Sequence, residues 1–122
     1  MKNWIGKVLE FEGSAPGDIN IIITNDKNLR DINVKYLSRD YYTDIITFDY
    51  SGGDYISGDL YISIDRVREN AKTYKEDEQR ELWRVIAHGL LHLLGYGDSD
   101  EQEKRMMRDK ENFYLDLIPS FK

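Results

Sequence analysis

Ala87-His88-Gly89-Leu90-Leu91-His92-Leu93-Leu94-Gly95-Tyr96-Gly97-Asp98 is the stretch that decides both the fold and the chemistry of this chain. His88 and His92 are its two histidines, four apart inside an apolar run. On a helix, residues i and i+4 lie one above the other, so both imidazoles address one spot. Gly95 and Gly97 let a helix stop and the chain turn sharply back. Asp98, six residues past His92, can then return a carboxylate to the two rings. Two nitrogens and one oxygen leave a tetrahedral metal with an open position, as in catalytic rather than structural zinc sites. A His-x-x-x-His pair alone is common on helices; the glycine turn and the acid behind it make it a candidate ligand set. The chain has no cysteine, so a zinc ion here must use His, Asp or Glu.

Working outward, Lys75-Glu76-Asp77-Glu78 is a charged start to this helix, and acids suit a helix N-terminus. Leu82, Val85, Ile86, Leu90 and Leu93 form its apolar stripe, widened by Trp83, Ala87, Leu91 and Leu94. A helix this apolar belongs in the middle of a domain. Trp4, Ile5 and Val8 mark a helix over residues 2–9, and Gly13 to Asp18 reads as a turn. The β-branched run Ile19–Thr24 predicts a first strand. Asn25 or Asp26 can cap a helix to about Leu37, with Leu29, Ile32, Asn33 and Tyr36 on one stripe. Thr43–Tyr50 and Ser57–Ile64 predict two more strands, and Asp65 can cap a helix running to about Tyr74. Ser99 or Asp100 can cap a last helix holding Met106, Met107, Phe113, Tyr114 and Leu117, closed by Pro119. The methionines are expected in the core. The expected class is α+β: a small, three- to four-stranded sheet, a central metal-binding helix packed on it and flanking helices.

At 122 residues the chain is expected to be one domain, 1–122, with a single core. No stretch approaches the roughly 20 apolar residues of a membrane helix, and the first residues lack the apolar run of a secretion signal. Without disulfides the expected location is cytoplasmic. The net charge of −6 opposes a protein that coats nucleic acid nonspecifically, since that binding needs Lys and Arg on phosphates. A local basic cleft is compatible with it. Neither a membrane nor DNA is an expected partner.

The stretch His88-Gly89-Leu90-Leu91-His92-Leu93-Leu94-Gly95-Tyr96 resembles, position by position, the signature of the YbeY family, bacterial metal-dependent endoribonucleases linked to ribosomal RNA maturation. Thr43-Asp44-Ile45-Ile46-Thr47-Phe48 and Gly58-Asp59-Leu60-Tyr61-Ile62-Ser63 resemble two of the family's strands. Met107 and Glu111 fall near a Met and an acid of its last helix. The likeness runs over roughly residues 19 to 117. It departs at Asp98, where most members have His, at Gly97, where they have Asp, and at Leu37, where many carry an arginine. Asp is a competent zinc ligand, so the site is altered rather than lost.

The resemblance implies a zinc-dependent endoribonuclease specific for single strands. Its substrate would be ribosomal RNA, in 3′-end maturation of the small-subunit RNA and in ribosome quality control, beside ribosome-associated proteins. His88, His92 and Asp98 would hold one Zn²⁺ and act through it, although Ni²⁺, Fe²⁺ or Mn²⁺ also suit the donor set. Arg39, Arg66 and Tyr96 are the expected RNA contacts, with Arg68, Lys72, Arg84, Tyr41 and Tyr42 behind them. Asp44 and Asp59 are candidate partners for the outer nitrogens of the ligand rings. Two alternatives stand beside this. One is a zinc peptidase, which would place Glu directly after the first His, where this chain has Gly89. The other is a noncatalytic ribosome assembly factor with a structural metal, which the acidic balance favours.

Overall fold

The computed structural model describes residues 1–40 and 43–118; Tyr41, Tyr42 and Pro119 lie outside the described residues. The elements are α1 (Lys2–Phe11), β1 (Ala15–Thr24), α2 (Asp26–Leu37), β2 (Ile45–Asp49), β3 (Tyr55–Ser63), α3 (Ile64–Tyr74), α4 (Glu78–Leu93) and α5 (Glu101–Leu115). The class is α+β, as expected, and the sheet has three strands in the order β1-β3-β2. β1 runs parallel to β3, because α2 and β2 intervene between them, and β2 runs antiparallel.

Alternation along the strands gives the sheet two working faces. Leu60 and Ile62 of β3, with Ile19, Ile21 and Ile45, pack into the main core. Phe48 and Tyr61 point the other way and meet edge-on, and Tyr36 of α2 meets Phe48 in turn. Leu29 and Asn33 of α2 are buried, whereas Tyr36 stays largely exposed outside that ring contact.

Local expectations differ from the structure in three places. The segment Gly13 to Asp18 is not a turn throughout, since β1 begins at Ala15. β1 is an edge strand, where a proline is tolerated, and the register slips between Pro16 and Ile19. The cap of α3 is Ser63 rather than Asp65: its hydroxyl accepts from the Arg66 N–H at 3.3 Å. Asp65 instead accepts from the Asp26 N–H at 3.0 Å and ties α3 to α2. Finally, Met106 and Phe113 are about half exposed while Met107 and Tyr114 are buried. Neighbours in a helix point about 100° apart, so one of each pair takes the core and the other the solvent.

α4 is the centre of the packing. Asp77 caps it, accepting from the Arg80 N–H at 3.0 Å, and Val85, Ile86, Ala87, Leu90 and Leu91 are buried on it. Gly89 brings its backbone against the sheet. A Cβ there would lie 2.6 Å from a methyl of Ile45 and 3.1 Å from one of Leu60. On the other flank Trp4 of α1 packs against Trp83, ring centres 4.9 Å apart and planes tilted by 47°, and donates its indole N–H to the Tyr114 carbonyl at 2.8 Å. No helix among the described residues is long and apolar enough to cross a membrane.

Candidate metal centre

The end of α4 is built to bring the chain back over its own histidines. Gly95 stands at φ +102°. The Tyr96 N–H bonds to the Leu91 carbonyl and the Gly95 N–H to the His92 carbonyl, both at 3.0 Å. This is a Schellman ending, which requires the left-handed residue that glycine supplies. Asp100 then caps α5, and Glu103 of its first turn accepts from the Ser99 hydroxyl at 2.8 Å. The loop is thereby clasped at both ends, with Asp98 in the middle.

Three side chains meet there. The Nε2 atoms of His88 and His92 are 2.9 Å apart. A carboxylate oxygen of Asp98 lies 3.3 Å from the first and 3.4 Å from the second. One donor atom from each falls within 4.8 Å of the others, a grouping able to hold a metal ion. Ligands about 2.0–2.1 Å from a tetrahedral Zn²⁺ are separated by roughly 3.3–3.4 Å, close to the two nitrogen–oxygen distances.

The outer nitrogens explain why the cluster wants a cation. His92 Nδ1 lies 3.0 Å from the Tyr96 carbonyl, which can only accept, so Nδ1 carries the proton. His88 Nδ1 lies 2.7 Å from Glu111, whose carboxylate accepts from it. When both rings are neutral, they therefore turn unprotonated Nε2 atoms toward each other and toward a carboxylate. Three lone-pair groups converge with no donor between them, and a bound cation resolves the conflict. Without a metal, a proton is the substitute. Burial alone would lower the His88 pKa, but Glu111, Asp44 and Asp98 outweigh it and hold the ring above its ordinary value.

Two clefts meet at this cluster, and Asp44, His88 and Asp98 line both. One, of about 560 Å³, runs between α2 and β2 and includes Arg39, Thr43 and His92. The other, of about 530 Å³, runs between α3 and α5. Burial pushes the Asp44 carboxyl up, with the charge of His88 opposing it. Glu81 is likewise raised by burial, against the pull of Arg84.

The expected RNA contacts are distributed unevenly. Arg39 lines the cleft on the β2 side. Arg66 does not reach either cleft; it holds Asp26 through its Nε and its terminal nitrogen at 3.0–3.1 Å. Tyr96 donates its hydroxyl to Glu12 at 2.6 Å, and the Lys110 ammonium lies over its ring. Arg84 enters the α5-side cleft but is paired with Glu111 and bonded to Asn112, and Arg68 pairs with Glu78.

Of the two acids considered as partners for the rings, Asp59 accepts from Asn20 instead. Asp44 stands beside His88 without that bond. Glu111 has the role, and its sequence position 23 residues after His88 gives no periodic signal. The carbonyl of Tyr96 is a backbone atom and has no signature at all.

A family profile described as Endoribonuclease YbeY matches residues 1–118. The chain belongs to the YbeY family. An Endoribonuclease YbeY of Parabacteroides distasonis is 47% identical over 119 residues, covering 98% of this chain and 84% of that protein. One of Phocaeicola vulgatus is 49% identical over 115 residues, covering 94% and 83%. Among solved structures, the solution structure of TM1509 from Thermotoga maritima superposes with a TM-score of 0.67 at 26% identity. It covers 93% of this chain and 75% of that one. YbeY relatives bear the name of endoribonucleases, which are hydrolases, and among the described residues the His88, His92 and Asp98 group could hold a metal.

Proposed function

We propose that this protein is a zinc-dependent endoribonuclease that cuts single-stranded ribosomal RNA in the cytoplasm. Its role would lie in 3′-end maturation of the small-subunit RNA and in ribosome quality control beside ribosome-associated proteins. The observation that carries the reading is the convergence of three potential ligand atoms at the meeting point of two open clefts. A site open on two sides lets a polymer pass across it, which cleavage inside a chain requires.

His88, His92 and Asp98 would hold the ion. Once bound, it would supply Lewis acidity for a phosphoryl oxygen or lower the pKa of a water. Glu111 keeps the His88 ring in the tautomer that presents Nε2, and the Tyr96 carbonyl does the same for His92. Arg39 faces the cleft where phosphates would approach on the β2 side. The same donors suit nickel, iron or manganese.

Two other readings are weaker. A peptidase would need a glutamate after the first histidine, but Gly89 is pressed on Ile45 and Leu60 with no room for a side chain. A metal that only braced the fold would have four protein ligands, whereas three meet here and Asp98 is 47% exposed. The net charge of −6 is the feature favouring an assembly factor that binds mainly protein.

The test is cleavage of a labelled single-stranded ribosomal RNA precursor by the zinc-loaded chain, with an unfolded peptide as control substrate. His92→Ala is expected to lower RNA cleavage by more than the roughly 10–100-fold that outer-shell changes cost. Its bound zinc should disappear from atomic emission while circular dichroism stays native. Undiminished cleavage by His92→Ala would point to a copurified nuclease and reject the reading.

A further inference from the structure

The α5-side cleft carries two cations that stand outside the ion pairs of the fold. Lys104 and Arg108 line it from successive turns of α5. Both are exposed, and neither side chain has an ion pair or hydrogen bond among the described residues. Like charges four apart on a helix repel, so the pair does not help α5 form. Five acids line the same cleft, and each has another neighbour: Glu111 and Glu81 pair with Arg84, Glu76 with Arg80, Asp98 faces His88 and Asp44 stands beside that ring. The Arg108 charge also acts on Glu81 at a distance. In a chain of net charge −6, two exposed cations without an ion pair of their own, on the α5 wall beside a candidate metal centre, form a local anion-binding edge.

From the α3 side, Tyr74 lines the same cleft with 63% of its surface exposed. A ring left in water contributes little to folding but offers its face to a base. An aromatic face beside cations is the composition that holds single-stranded nucleic acid: the cations track phosphates and the ring stacks. The volume of about 530 Å³ is in the range of pockets that take small ligands.

We propose that Tyr74, Lys104 and Arg108 form a nucleotide subsite of the RNA path on the α5 side of the metal centre. It rests on the nuclease reading above and adds the course of the strand, across the metal from the Arg39 cleft to α5. A base must leave its partner to stack on Tyr74, so the subsite selects unpaired RNA over duplex.

The test uses the full zinc-loaded chain and a fluorescein-labelled single-stranded oligoribonucleotide. Stopped-flow anisotropy reads binding ahead of cleavage. In K104Q/R108Q the affinity should fall by about tenfold or more at low salt, and the slope of log affinity against log salt should flatten by about 1.4. Tyr74→Ala should weaken binding about tenfold, and Tyr74→Phe should bind as the wild type does. Zinc content should be unchanged in all of them. Wild-type affinity and salt slope in K104Q/R108Q would overturn the subsite and leave the nuclease reading standing. Weakened binding in the variants together with a zinc-loaded wild type that binds RNA without cutting it would keep the subsite and overturn the nuclease reading.

Discussion

Two carboxylate clusters flank Tyr96, and they are opposites in hydrogen-bonding balance. In the first, Glu12 receives the hydroxyls of Tyr96 and Tyr114 and the ammonium of Lys110. Three donors meet one acceptor group, and the cluster is closed. In the second, Asp98 faces the Nε2 atoms of His88 and His92, which are acceptors when both rings are neutral. Three acceptors then meet with no donor, and a metal ion or a proton would complete the cluster. Acid content alone does not distinguish them. The donor count does: a satisfied carboxylate braces α1, α5 and the loop together, while an unsatisfied one marks a place for a ligand.

The comparison is tested most severely at Glu111. Glu111→Gln leaves the shape of the residue but frees the His88 tautomer, so zinc affinity should fall by about 10–100-fold. Competition with a chromophoric chelator measures it, and an unchanged affinity would mean that His88 needs no partner. Tyr114→Phe is the counterpart in the closed cluster. It should cost roughly 1.5–3 kcal/mol of stability, the worth of a hydrogen bond to a charged group, with zinc affinity unaltered. Denaturant titration beside the chelator assay separates the two, and a loss of zinc there would show that the clusters are coupled through Tyr96.

The smallest effect is in the pH dependence of the metal-free protein, where the clusters should act with opposite sign. Burial would raise the Glu12 pKa, but Tyr114, Tyr96 and Lys110 overcome it and hold it below the ordinary value. Its contribution is present above the unfolded pKa and lost as pH falls through the folded one. The His88 pKa is raised above its ordinary 6.5, so its contribution is full below that and lost as pH rises through the folded value. The Tm difference between wild type and His88→Ala should therefore shrink above about pH 6.5. The difference between wild type and Glu12→Gln should shrink as pH falls below about 4.3. Equal trends in the two variants would contradict the contrast.

Residue pattern alone determined a good deal. The apolar stripe of α4, the i,i+4 histidines and the glycine ending are local features, set by a periodicity of 3.6 and by backbone conformations open to few residues. They made the convergence of His88, His92 and Asp98 and the central helix legible, together with the β-branched strands and, among paired candidates, the caps at Asn25 and Asp100. The strand start at Ala15 was not legible, because the tolerance of Pro16 depends on β1 lying at a sheet edge.

Only tertiary structure decided which acid serves which partner. Glu111 reaches His88, Asp59 turns to Asn20 and Arg66 is consumed by Asp26. Lys104, Arg108 and Tyr74 face one cleft from helices far apart in the chain. Polar pairing is a matter of a few ångströms between side chains that folding brings from anywhere. Sequence carries the inventory of donors and acceptors, and the packed chain assigns them to one another.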